Sequence, residues 1–240
     1  MSKKILQIIC AVIVIGGAVK LYPYAGSEIR HYKIQKEICA LEESSEIEKW
    51  KEPAGCRDLA GILSYDSLDM KEEIVQGSDD QYYLKHLCDG TPSDLGTLFL
   101  DADTEKEDQN QILYGHHVFY ARSRMTPLFD LLEKDVSEDD LLFTISDQEE
   151  VAVYRMIAVI EEDFSDPDEY VFLKRCYESA ELNEYNEQLR RHCISRFFEE
   201  VKEDDRLLTM VTCRDEDSPV RILFIAKECG TKRKDIPQDI

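Results

Sequence analysis

A mainly β fold with helices inserted between its strands is predicted from three features of the 240-residue chain. Eight short apolar runs separated by turn residues read as strands: Leu59–Tyr65, Glu73–Val75, Thr97–Leu100, Gln111–Tyr114, Leu141–Ile145, Val151–Ile160, Leu207–Thr212 and Val220–Lys227. Eight such runs are too many for a helical bundle and suit a barrel or a sandwich. Helical signals interrupt them at Thr126–Lys134 and in a larger insert that begins at Asp166-Pro167, a good N-cap and N1 pair, and runs to about Glu200. The third feature is composition: 12 Tyr and 9 Phe against 10 Gly and 7 Pro exclude a collagenous or disordered chain.

The elements follow in chain order. Residues 1–20 carry Lys3, Lys4 and Lys20 with no acid, a charge of +3, which leaves −25 of the net −22 to the other 220 residues. Between those lysines runs the apolar stretch Ile5 to Val19, extended by Leu21 and Tyr22 to near the ~17-residue minimum for a bilayer span. No small-residue cleavage site follows, so residues 1–22 read as an uncleaved signal anchor. The positive-inside rule then predicts a cell-membrane protein with a cytoplasmic N-terminus and the acidic body outside the cell. Residues 23–55 form a helical linker, with Ile34, Ile38 and Leu41 as its sparse apolar stripe between Ser27 and Trp50, broken by Lys51-Glu52-Pro53-Ala54-Gly55. The barrel domain is set at residues 56–229. Within its insert Leu182, Tyr185, Leu189, Cys193 and Phe197 recur at helical spacing and predict one face packed on the strands. A polar, frayed tail is expected over residues 230–240.

Charge and cysteines narrow the function. A net charge of −22 would repel phosphates and argues against nucleic-acid binding. The eight cysteines include no CxxC pair, and a 200-residue body can bury a core without staples, so most are read as buried or free thiols. The pair His86 and Cys88 lacks the further ligands of a zinc site. The acidic runs at 103–108 and 161–169 read as solvated faces rather than calcium sites. His31, His86 and His192 read as surface or hydrogen-bonded histidines.

The chemistry-bearing residues stand at strand ends. Gly115-His116-His117 follows one strand, Cys213 closes another behind Val211-Thr212, and Arg221 opens the last. A cysteine thiolate attacks carbonyls, an imidazole can protonate a leaving amine, and a guanidinium can stabilise an oxyanion. Arg214 is a rival for the arginine role. Asp215, Glu216 and Asp217 set negative charge beside the thiol against Arg214 and Arg221.

The strings NQILYGHHV, MTPLFDLLEK and LLTMVTCRDEDSPVRILFIAKE, with IVQGSDDQYYLKHLCDGTPSDLGTLFLD upstream, resemble the class B sortases of Gram-positive bacteria over residues from roughly 56 to 228. The resemblance implies an eight-stranded β-barrel with an extra helix before the penultimate strand. It also implies a membrane-anchored cysteine transpeptidase, needing no cofactor or metal and acting as a monomer. Such an enzyme cleaves a C-terminal sorting motif of surface proteins after Thr and passes the acyl group to a peptidoglycan-precursor amine. By position His116 matches the family histidine, Cys213 the nucleophile and Arg221 the arginine, with Thr212 and Val211 beside the bound peptide. The chain departs from the pattern at Met210 and Val211, in Leu68 to Gln76 where the family has IDYPVVQ, and in Ser123 to Phe129 where it has GTMF. A pilin polymerase on the same fold, a Cys/His cell-wall peptidase and a non-catalytic adaptor are the alternatives.

Overall fold

The computed structural model describes residues 25–38, 40–41, 53–133, 135–165, 170–214 and 218–234. Its eight strands are β1 (Leu59–Tyr65), β2 (Met70–Val75), β3 (Leu98–Leu100), β4 (Asn110–Tyr114), β5 (Leu142–Ser146), β6 (Glu150–Asp163), β7 (Leu207–Cys213) and β8 (Val220–Arg233). They close into a barrel in the order β1-β2-β3-β4-β7-β8-β6-β5. Each of the eight runs read from the sequence carries a strand. Closure removes the free edges that would otherwise template aggregation. All pairs are antiparallel except β2 with β3 and β4 with β7.

Alternation of side chains divides the apolar residues between an inside and two outer shells. Leu63, Met70, Leu98, Leu113, Leu208, Met210 and Phe224 fill the barrel. One outer shell covers β1, β2 and β3: a helix at residues 25–38 (α1) lays Ile34 and Ile38, with Leu41 beyond it, against Ile62, Val75, Phe99, Tyr83 and Leu87. A disulfide between Cys56 and Cys88 staples this shell. That bond sets these two apart from the majority read as thiols and ends any part for Cys88 in a zinc site. Nothing in a spacing of 32 residues announces it, because only the fold brings the two together. Cys176, Cys193, Cys213 and Cys229 are free.

The other shell covers β4, β7, β8 and β6. A one-turn helix, α2 (Asp130–Glu133), follows a 3₁₀ turn at Thr126–Phe129 under the barrel. The large insert carries α3 (Ser179–His192), which buries Leu182, Tyr185 and Leu189 against Ile112, Val211, Leu223 and Ile225. Burying Leu182 and Leu189 stabilises this docking by roughly 1.5–3 kcal/mol each. The helix is shorter than predicted. Its start is a capping box between Glu178 and Glu181, and Cys193 ends it in an extended conformation, bridged to Ile160 of β6. The Asp166-Pro167 cap lies outside the described residues. Arg190, Arg191 and His192 occupy its last turn, where positive charge suits the helix dipole.

Two further expectations are corrected. Strand β8 continues past Gly230 to Arg233, because Gly230, Thr231, Lys232 and Arg233 pair with Val153, Ala152, Val151 and Glu150 of the long β6. The single-pass membrane placement is overturned: no helix among the described residues is long and apolar enough to cross a membrane. The stretch 1–22 from which that placement came lies outside the described residues.

A buried amide also ties the insert to the barrel. Asn110 at the start of β4 is fully buried; its Nδ2 donates to the carbonyls of Phe172 and Lys174 at 3.0 Å, and its Oδ1 accepts from the Thr209 hydroxyl at 2.8 Å. Asn110→Ala leaves these groups without partners in a closed space and is expected to cost about 2–3 kcal/mol. Urea unfolding should show a lower midpoint at unchanged slope; a loss below about 1 kcal/mol would mean that the orphaned groups find other partners.

Candidate active site

Parallel pairing of β4 with β7 builds the site. Tyr114 stands opposite Val211, and the Gly115 amide still donates to the Val211 carbonyl at 3.2 Å, so the two chains leave the barrel side by side. His116 lies two residues beyond Tyr114 and Cys213 two beyond Val211. Gly115 is required for space rather than for a turn: a Cβ there would lie 2.2 Å from Leu98 Cδ2. Cys213 is half-buried and has a free thiol.

His116 is seated against the α1 shell. Its Nε2 is 2.8 Å from the Leu84 carbonyl, an oxygen that only accepts, so Nε2 carries the hydrogen and Nδ1 holds the lone pair of the neutral ring. Gly96, with φ +60, lets the 82–96 segment close on the imidazole; a Cβ there would be 3.0 Å from His116 Cδ2 and 2.6 Å from the Tyr83 carbonyl. Burial holds the imidazole below its ordinary pKa against the opposing hydrogen bond to Leu84, and the charges of Lys85 and Arg124 push the same way as burial. His117 turns elsewhere: its ring stacks on Phe129 at 3.9 Å and its Nδ1 is 3.4 Å from the Arg214 carbonyl.

Arg221 is the direct cross-strand partner of Cys213 in the β7/β8 pair, so the two side chains share a face. Its Nη1 donates to the Ser218 carbonyl at 2.7 Å, and among the described residues no carboxylate pairs with it. Arg214, the rival, is ion-paired with Glu161. Val211 shares the outer face with Cys213 and is buried under the α3 shell. Thr212 does not share it. Its cross-strand partner Ile222 and its β7 neighbour Met210 face the barrel interior, and its hydroxyl is buried without a partner. The chain thus brings His116, Cys213, Arg221 and Val211 to one end of three neighbouring strands, β4, β7 and β8, and turns Thr212 inward. Asp215, Glu216 and Asp217 lie outside the described residues.

The sequence reading missed three contributors. Leu84 acts through its backbone, which no side-chain pattern reveals. The Cys56–Cys88 bond fixes the segment that carries Leu84. His31, read as a surface or hydrogen-bonded histidine, is 3% exposed and ion-paired with Glu72 and Glu73. His86 fits its reading, with Nδ1 2.8 Å from the Tyr82 carbonyl, and His192 pairs with Glu162 at 2.7 Å. Among the described residues the acidic run at 103–108 forms no group of ligands close enough to hold a metal.

The seat of His116 makes a measurable statement. Its ring should titrate below 6.5 in NMR spectra of the folded protein and be neutral at pH 7. A midpoint at or above 6.5 would mean that the ring is not held in the buried position against Leu84.

No family model matches the chain. In sequence it is similar to sortase B of Listeria monocytogenes, 25% identical over 166 residues, 67% of this chain and 64% of that protein, so the match spans slightly under two thirds of the relative's length. In structure it is similar to a Staphylococcus aureus sortase B–substrate complex, with a TM-score of 0.73 and 18% identity over 86% of this chain and 98% of that one. It is likewise similar to Clostridium perfringens sortase B, with a TM-score of 0.61 and 21% identity over 72% and 94% of the two chains. With an eight-stranded barrel closed by a parallel β4/β7 pair and an inserted helix before β7, the chain resembles the class B sortases in sequence and has their fold.

Proposed function

We propose that the protein is a sortase-type cysteine transpeptidase, with Cys213 as nucleophile, His116 as proton carrier and Arg221 as oxyanion and substrate-backbone donor. The observation that carries this reading is the register: Cys213 faces Arg221 across β7/β8, and His116 stands two residues past the end of the parallel neighbour β4.

The chemistry follows from those groups. The sulfur of Cys213 attacks the carbonyl of the threonine in a C-terminal sorting motif, and the thiol proton passes to Nδ1 of His116, the ring nitrogen that Leu84 leaves open. The carbonyl oxygen gains negative charge, which the Arg221 guanidinium balances. Collapse breaks the C–N bond, and His116 returns the proton to the departing amine. The thioacyl enzyme is then resolved by a peptidoglycan-precursor amine: a C–N bond forms, the C–S bond breaks, and the amine's proton restores the thiol through His116. The product is a surface protein joined covalently to the cell wall. Val211 forms part of the floor under the bound peptide. Thr212, turned into the barrel, supports the strand end from within.

The assay uses sorting-motif peptides of the NPxTN and LPxTG types with an added amine. Cys213→Ala should abolish cleavage, His116→Ala should lower the rate by about 10²–10⁴-fold, and Arg221→Ala by about 10²–10³-fold. Arg214→Ala, which removes a side chain already committed to Glu161, should remain within a few-fold of wild type. Cleavage that survives Cys213→Ala would defeat the transpeptidase reading, and cleavage that yields only hydrolysed peptide at saturating amine would favour a peptidase.

A further inference from the structure

Four charged side chains meet out of reach of solvent behind the turn that carries His116. Arg124 is 0% exposed, and its Nη1 lies 2.6 Å from Glu72 Oε2 and 2.9 Å from Glu73 Oε1. His31 of α1 completes the group at 3.5 Å from Glu72 and 3.6 Å from Glu73, ion-pair rather than hydrogen-bond distances. Two carboxylates, one guanidinium and one imidazolium sum to zero, and that balance is what makes such burial tolerable. The cluster occupies a gap in the sheet: β2 pairs with β3 only at Ile74 and Val75, so Glu72 and Glu73 have no β3 partner, and the Arg124 amide donates to Glu72 Oε1 at 2.8 Å.

Arg124 is tied directly to the histidine turn. It forms a β-bridge with His117, and the next amide, that of Met125, donates to the His116 carbonyl at 3.1 Å. The loop between is closed by the Val118 amide and carbonyl on the Thr126 hydroxyl. Arg124 holds a left-handed φ of 56°, which a non-glycine residue keeps only when its surroundings dictate it. A divalent cation fits this place poorly. His31, Glu72 and Glu73 bring ligand atoms within 4.8 Å of one another, yet the guanidinium already occupies both carboxylates.

We propose that Arg124 is a positioning residue for His116, and that protonated His31 makes this positioning depend on the docking of α1. The link to turnover rests on the transpeptidase reading, while the positioning itself does not. The groups that face His31 are Glu72 and Glu73 from β2 and Arg124 from the loop after β4. Burial and the Arg124 charge pull its pKa down, and the two carboxylates together outweigh them and raise it to about 9. Burial alone would raise the carboxyls, but the charges of His31 and Arg124 hold both below the ordinary range. The sign follows: with a folded pKa above the unfolded 6.5, the contribution of His31 is complete below pH 6.5 and is lost as pH rises through about 9.

The test uses the full chain, with NMR of the His116 ring and of the Met125 methyl, whose carbon packs beside Gly115. In wild type both signals should move together between pH 6.5 and 10 with a midpoint near 9, well separated from the lower titration of His116 itself. In His31→Gln they should already sit at the high-pH position at pH 7. With the peptide substrate, kcat at pH 7 should fall about ten- to a hundred-fold while KM stays within two-fold. Arg124→Lys, which keeps the charge but is shorter and lacks the guanidinium seated between the carboxylates, should give the same displacement without the pH step. The wild-type titration needs no variant and stands if either substitution impairs folding. Signals that ignore the titration of His31, or a His31→Gln protein that melts earlier with His116 and Met125 unmoved, would overturn the proposal. The NMR result decides it whichever way the cleavage assay comes out.

Discussion

Parallel strands cannot be joined by a tight turn, and the pairing of β4 with β7 is the constraint from which the rest of this molecule follows. A crossover must carry the chain from one to the other, and here it comprises β5, β6 and the α3 insert. In return the two chains exit the sheet at the same end and in the same direction. Residues 97 apart in sequence, His116 and Cys213, then stand at matching levels. Were the pair antiparallel, the end of β4 that leads to the histidine would lie beside the start of β7, a strand's length from the cysteine at the other end, and the two could not meet.

The site also lies at the seam of the two outer shells, and each half is supported by a different one. Cys213 and Val211 belong to the face covered by α3, which Asn110 pins through backbone carbonyls of the insert. His116 leans on the face covered by α1, through Leu84 in a segment stapled by Cys56–Cys88. Small shifts of either shell therefore change the relation between imidazole and thiol without touching either. Rigid support of this kind is what precise alignment of reacting groups demands.

Much of this was legible in the sequence because it is local. Each strand announced itself by a short apolar run between turn residues, and the histidine, cysteine and arginine stood at the ends of those runs. The insert helix showed through Leu182, Tyr185 and Leu189, although its start was misplaced because a capping box at Glu178 and Glu181 is a weaker sign than Asp-Pro. What stayed hidden is long-range. The partnership of Cys56 with Cys88 and the convergence of His31, Glu72, Glu73 and Arg124 depend on contacts between distant segments. In single sequence Glu72 and Glu73 look like solvated strand residues and Arg124 like a loop cation. They stand, moreover, in the two stretches where the chain departs from the class B pattern, so resemblance could not supply them either.

The strand order has a consequence for how the molecule comes into being. Strands β1 to β6 alone would form an open sheet in the order β4-β3-β2-β1-β5-β6, with β4 and β6 as bare edges. The terminal hairpin of β7 and β8 fits between those edges and closes the ring, and it carries both Cys213 and Arg221. Closure by such distant partners is slow compared with local pairing. A growing or partly folded chain thus holds its histidine turn without the thiol or the guanidinium beside it. The thiol and the guanidinium join the histidine turn in the same event that seals the sheet.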